Sequence, residues 1–150
     1  MNKNHVYKNR LLKLADFLDN LLDEQFSFDR WVGNDWDQKA NLSCGTSACA
    51  LGWATTIPLF RKLGLRLVAN PTYEGKSGFK FVIALKDTVN PNNTSYRDAC
   101  EKIFGVDKSE ANFLFTPGSM LGSSNNYLDD NASPAEVSDN IRRFIRLKSW

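Results

Sequence analysis

Thr46-Ser47-Ala48-Cys49-Ala50-Leu51-Gly52-Trp53-Ala54-Thr55-Thr56-Ile57, followed at once by Pro58, contains no charged residue. A helix without a polar face is one surrounded by protein, so residues 46–57 predict a buried central helix that Pro58 ends or kinks. A further turn at 59–63 closes on Gly64, and the period then changes. Residues 65–69 can form a short strand, 79–85 are rich in β-branched and aromatic side chains, and the Pro71–Gly78 segment between them supplies turn chemistry. A β-hairpin is the simplest join.

Helical periodicity returns on both sides. Tyr7, Leu11, Leu14, Leu18 and Leu21 recur at steps of three and four, with Ala15 and Leu22 widening the stripe, which predicts a helix over 5–24. Tyr96, Ala99, Cys100, Ile103 and Phe104 predict one over 94–104, ending at Gly105. Asp107 and Glu110 form a capping box for a helix that stops before Pro117. Ser133 and Glu136 form another, with Pro134 at the first position of a helix to about 148 that turns Val137, Ile141, Phe144 and Ile145 inward. Residues 116–132, rich in Ser, Asn, Gly and Asp, read as a long loop. The expected fold is α+β: a mostly helical single domain over 1–150, of about five helices, with a small antiparallel β-hairpin inserted after the central helix. There is no βαβ alternation and no dinucleotide-binding glycine loop.

Composition bounds the function. With 150 residues, 42% hydrophobic, the chain can bury one good core and is not a disordered tail. A net charge of +2 gives no reason to expect a nucleic-acid partner, and no DNA-binding module is visible. No apolar run approaches the roughly 18 residues of a membrane helix. Three cysteines, an odd number, without a signal peptide point to a reducing compartment and a cytoplasmic location.

The densest candidate site is Cys44-Gly45-Thr46-Ser47 at the start of the central helix. Free N–H groups and the helix dipole favour an anion there, and Gly45 lets a ligand approach the backbone. Trp31, Trp36, Trp53 and Tyr73 are candidate stacking rings. The plainer reading is that Ser43 or Thr46 caps a buried helix. Cys44 could be a nucleophile, since a thiol at a helix start has a lowered pKa. The one histidine, His5, is remote in sequence, and a thiol enzyme needs a base and an orienting group beside the thiol. Buried, inert Cys44 and Cys49, each acting as a small hydrophobe, is the favoured reading. No zinc-ligand spacing appears, so neither a metal nor a cofactor is expected. Two charge clusters remain. Lys3, Lys8, Arg10 and Lys13 precede a run of acids from Asp16 to Asp37, an order that opposes the helix dipole. Arg142, Arg143, Arg146 and Lys148 follow the last helix, either as stabilising surface charge or as a phosphate-facing stripe.

The core Cys44, Gly45, Thr46, Cys49, Gly52, Trp53 and Ala54 resembles a C-G-T-x-x-C-x-x-G-W-A pattern in small uncharacterised proteins of phages and their bacterial hosts. Ile103-Phe104-Gly105, Leu114-Phe115-Thr116-Pro117 and Pro134-Ala135-Glu136-Val137 follow in the same order. The resemblance carries no activity but implies a phage setting. There, non-enzymatic "sponges" trap the nucleotide signals of bacterial immunity. The expected function is therefore a phage-type accessory protein that binds a small anionic or nucleotide-like ligand, with a homodimer a compatible arrangement. The alternatives are an inhibitor that blocks a host protein through the Asp16–Asp37 face or the Asn-rich loop, and a hydrolase or transferase using Cys44.

Overall fold

The computed structural model describes residues 3–26, 49–71, 81–92, 94–116, 128 and 131–150. Among them are six α-helices and one two-stranded antiparallel sheet, a mostly helical α+β arrangement as the sequence implied. In chain order they are α1 (Lys3–Asp19), α2 (Ala50–Ala54), α3 (Pro58–Lys62), β1 (Leu65–Ala69), β2 (Phe81–Leu85), α4 (Ser95–Phe104), α5 (Lys108–Phe115) and α6 (Pro134–Leu147).

The expected central helix is shorter than 46–57 and is followed by a second one. Cys49 is extended, with φ −77° and ψ 178°, and its sulfur accepts from the Gly52 N–H at 3.4 Å, so α2 starts at Ala50. The Thr55 and Thr56 hydroxyls then take the carbonyls of Gly52 and Trp53, both at 2.6 Å. Hydroxyls that compete for helix carbonyls favour an end, and Pro58 opens a new helix instead of extending the old one. Every residue of α2 is buried, as the absence of charge requires. Arg61 and Arg66 serve these ends locally: Arg61 donates to the Thr55 carbonyl at 3.2 Å and Arg66 to the Arg61 carbonyl at 2.8 Å.

The hairpin pairs Leu65 with Leu85, Leu67 with Ile83 and Ala69 with Phe81. In β1, Leu65 and Leu67 are buried and Arg66 between them less so. Phe81 to Ala84 are all buried, because α4 packs against β2. Phe104, at the end of α4, joins Phe60 and Phe115, with ring centroids 5.4 and 5.9 Å away. Both expected capping boxes form, at Asp107–Glu110 and at Ser133–Glu136. α4 closes on Gly105 in the left-handed conformation, φ 66°.

α1 ends at Asp19 instead of reaching 24, and a 3₁₀ turn at Asp23–Gln25 follows. Leu11, Leu14, Ala15 and Leu18 are buried, whereas Leu22 is exposed and does not extend the stripe. The helix packs chiefly on α6. This pairing accounts for the charge order that opposed its dipole: Arg142 of α6 reaches Asp16 at 2.8 Å and Asp19 at 2.6 Å, beside the last turn of α1. The buried Ser138 hydroxyl lies beside both the Ala15 carbonyl, at 3.2 Å, and the Asp19 carboxylate; its single proton serves one at a time. The Ser138 hydrogen bond is the largest influence holding the Asp19 carboxyl below its ordinary 3.8; desolvation opposes it, and Arg142 adds a hydrogen bond and an opposite charge.

A carboxyl depressed in the fold adds stability above its unfolded pKa and loses it as pH falls through the lower folded value. Asp19→Asn is therefore expected to be less stable than the parent at neutral pH, with the gap closing below pH 3.8 and in high salt. The Asp19 side chain is 44% exposed, so the gap is at most about 1 kcal/mol. Urea melts across the acid range measure it, and a gap independent of pH would remove Asp19 from the acid response.

Candidate functional site

Of the expected ligand residues, Trp53 alone belongs to the described residues; Cys44, Gly45, Thr46, Ser47, Trp31, Trp36 and Tyr73 lie outside them. Trp53 is 8% exposed, tilted against Phe17 with centroids 6.1 Å apart, and its indole N–H donates to the Gln25 carbonyl at 2.7 Å. Its polar atom is thus spent on fastening the end of the α1 segment to α2. The helix that carries Trp53 begins at Ala50, behind an extended Cys49. A five-residue helix capped by its own cysteine has little dipole to offer an anion. Cys49 and Cys100 are buried. Burial, and then the neighbouring Cys49, push the Cys100 thiol well above its ordinary value, which keeps it protonated and inert. His5 is exposed on α1, its Nε2 3.3 Å from Asn9 Nδ2. Among the described residues no group of three or more His, Cys, Asp or Glu could hold a metal ion, and no helix is long and apolar enough to cross a membrane.

The described residues instead bring polar groups together on α6. A groove of about 460 Å³ is lined by Leu128, Glu136, Asp139, Asn140, Arg142, Arg143 and Arg146. Residues three, four and seven apart share a helix face, so Asp139, Asn140, Arg143 and Arg146 form one strip. The cations have separate roles. Arg142 is held by Asp16 and Asp19. Arg143 Nη2 donates to Asn140 Oδ1 at 3.2 Å. Arg146 has no hydrogen-bond or ion-pair partner among the described residues, and it is exposed.

Asn140 is the unusual member. It is 5% exposed, and its Nδ2 has no hydrogen-bond partner among the described residues. Arg143 can only donate, so it fixes Oδ1 towards itself and leaves the NH2 group unmatched. An unpaired buried donor costs about 1–3 kcal/mol. Asn140 lines the groove together with Arg143 and Arg146. Glu136 and Asp139 stand towards the other end of the strip, so the cationic end lies towards Arg146. Glu136 is already engaged with the Ser133 N–H at 3.4 Å.

Another groove, about 390 Å³, is lined by Lys13, Asp16, Phe17, Asn20, Thr56, Ile57 and Pro58. Apart from Lys13, its polar side chains have local partners: Asn20 donates to the Asp16 carbonyl at 3.0 Å, Thr56 to the Trp53 carbonyl, and Asp16 holds Arg142. The same pairing engages Asp16 and Asp19, two members of the acidic run considered as a protein-binding face.

Sequence reasoning had noted Arg142, Arg143 and Arg146 but not Asn140. An asparagine between a buried Val137–Ile141 pair and an arginine three residues on was the available signal. Compared with family models, curated proteins and solved structures, the chain matches none.

Proposed function

We propose that this protein is a non-enzymatic binder of a small anionic, nucleotide-like ligand, held on α6 by Asn140, Arg143 and Arg146. The observation that carries the reading is the unmatched amide of Asn140, a lining residue of a groove that also holds two arginines not tied to acids. Charge-assisted hydrogen bonds from guanidinium to phosphate or carboxylate oxygen are the strong kind, and the arginine fork suits both. The phage-like Cys44–Ala54 string supports a biological role: an accessory protein that sequesters a host immune-signalling nucleotide in the host cytoplasm.

The test is a thermal-shift screen against nucleotides, cyclic di- and trinucleotides and ADP-ribose derivatives. Ligand at 100 times its Kd adds about 2.7 kcal/mol, and a chain this size gains about 2–4 °C per kcal/mol. The ligand is expected back chemically intact. Asn140→Asp replaces the donor with an acceptor of nearly the same shape, and Arg146→Ala removes the exposed cation. Each is expected to weaken binding about 10-fold or more, the worth of one charge-assisted hydrogen bond. Binding unaffected by both variants would exclude the α6 groove. A consumed ligand would make the protein an enzyme, and silence across the panel would favour a protein partner.

A further inference from the structure

We infer that the exposed face of α6 docks on the same face of a second copy of this chain, with the two helices antiparallel about a two-fold axis level with Ile141. The inference stands on the charge pattern of that face and not on the anion-binding reading above.

The exposed residues of α6 are Ala135, Glu136, Asp139, Arg143, Arg146 and Leu147. At about 100° per residue they fall within one arc of about 120°. Val137, Ser138, Asn140 and Ile141 are buried and occupy the rest of the helix. Along the exposed arc the charges run acid, acid, base, base. They are also evenly placed about Ile141: Asp139 and Arg143 lie two residues from it, Glu136 and Arg146 five, and Ala135 and Leu147 six. A two-fold axis at that level sets each residue of such a pair against the other member of the pair on the second copy. Asp139 then meets Arg143 of the partner subunit, Glu136 meets Arg146 of the partner subunit, and both pairs occur twice. Leu147, 77% exposed, meets Ala135 of the partner subunit at each end.

These groups have capacity to spare. Asp139 and Arg146 have no hydrogen-bond or ion-pair partner among the described residues. Glu136 gives one oxygen to the Ser133 N–H, at 3.4 Å, and keeps the other. Arg143 spends one of its five N–H donors on Asn140 Oδ1. Asp139 and Arg143 are four residues apart with the acid first, the favourable order for an ion pair within a helix, yet among the described residues they form none. The dipole of α6 accounts for Glu136 in the first turn and Arg146 in the last. Its influence is confined to those turns, so it does not account for Asp139 and Arg143 in the middle. An antiparallel copy does.

One helix face about 21 Å long buries less than the roughly 1,200 Å² of a standard stable interface, so the dimer is weak and reversible. It is also salt-sensitive, because exposed charges are screened. Arg143 and Arg146 serve either the partner's carboxylates or a small anion, so the two compete where both are present.

Sedimentation equilibrium of the purified protein over a range of concentrations tests this. The parent is expected to self-associate to a dimer in about 0.1 M sodium chloride and to be monomeric in about 1 M, as the screening length falls from about 10 to 3 Å. Asp139→Arg sets like charges against each other twice and is expected to weaken association at least about tenfold. The double variant Asp139→Arg with Arg143→Asp exchanges the charges and is expected to restore association to within about threefold of the parent. Thermal melts report that both variants are folded. The salt response of the parent tests the pairing without any substitution. A parent that stays monomeric in low salt, a dimer indifferent to salt or to Asp139→Arg, or a double variant no better than the single one would each overturn the antiparallel α6 interface.

Discussion

Phe104→Ala is expected to lower the stability of the protein by about 3–5 kcal/mol, towards the upper end of that range. Phe104 is fully buried at the end of α4. It meets Phe60 edge-on at 5.4 Å, with an interplanar angle of 70°, and Phe115 at 5.9 Å. These contacts tie α3, α4 and α5 into one cluster. Truncation removes the buried ring area, leaves a cavity that three helices cannot all close, and loses two aromatic pairs worth about 0.5–1.5 kcal/mol each. At about 2–4 °C per kcal/mol, Tm should fall by roughly 6–20 °C. Phe104→Leu fills most of the volume and is expected to cost less than half as much. Denaturant melts of the two variants check this, and a cost below about 1 kcal/mol for Phe104→Ala would mean that the three rings are not a packing centre.

The neighbouring residue should give the next largest effect. Gly105→Ala is expected to cost about 2–5 kcal/mol, from two sources. At φ 66° a side chain meets the left-handed penalty of about 1–2 kcal/mol. A Cβ there would also lie 2.3 Å from Tyr7 Cδ2 and 2.6 Å from Cε2, inside contact distance. Forcing a group into such a place costs about 1–3 kcal/mol. The Tyr7 ring has the Arg10 guanidinium 5.9 Å from its centroid, and Arg10 Nη1 donates to the Ile103 carbonyl at 2.9 Å. The pair Tyr7→Ala and Gly105→Ala separates the sources. The double variant should recover the steric part, giving a coupling above about 1 kcal/mol. Strict additivity would show that the glycine serves backbone conformation alone.

Gly105 also shows how the sequence and the tertiary structure divide the explanation. A glycine after a periodic helix is legible as a helix end, since only the local backbone decides it. That the same glycine must also be small for Tyr7, almost a hundred residues earlier, is a fact of packing. The candidate site divides likewise. The arginines of the last helix were visible as a charge cluster, but spacing could not say that Arg142 is occupied by Asp16 and Asp19 while Arg146 is not. Nor could it say that Asn140 lies buried with an unmatched amide, since exposure at a helix position depends on what packs beside it. The Trp53 ring, read as a stacking platform from its type, fastens Gln25 because α1 brings that carbonyl to it.

By itself the sequence determined the α+β class, the positions of the hairpin strands, and the ends of α4, α5 and α6. These follow from hydrophobic period, capping boxes and glycine or proline punctuation, all of them interactions within a few residues. The tertiary structure decided the rest: the division of the central segment into α2 and α3, the pairing of the acidic end of α1 with Arg142, and the groove along α6. Each depends on groups far apart in the chain. Their hydrogen bonds, charges and contact surfaces acquire partners only when the helices pack.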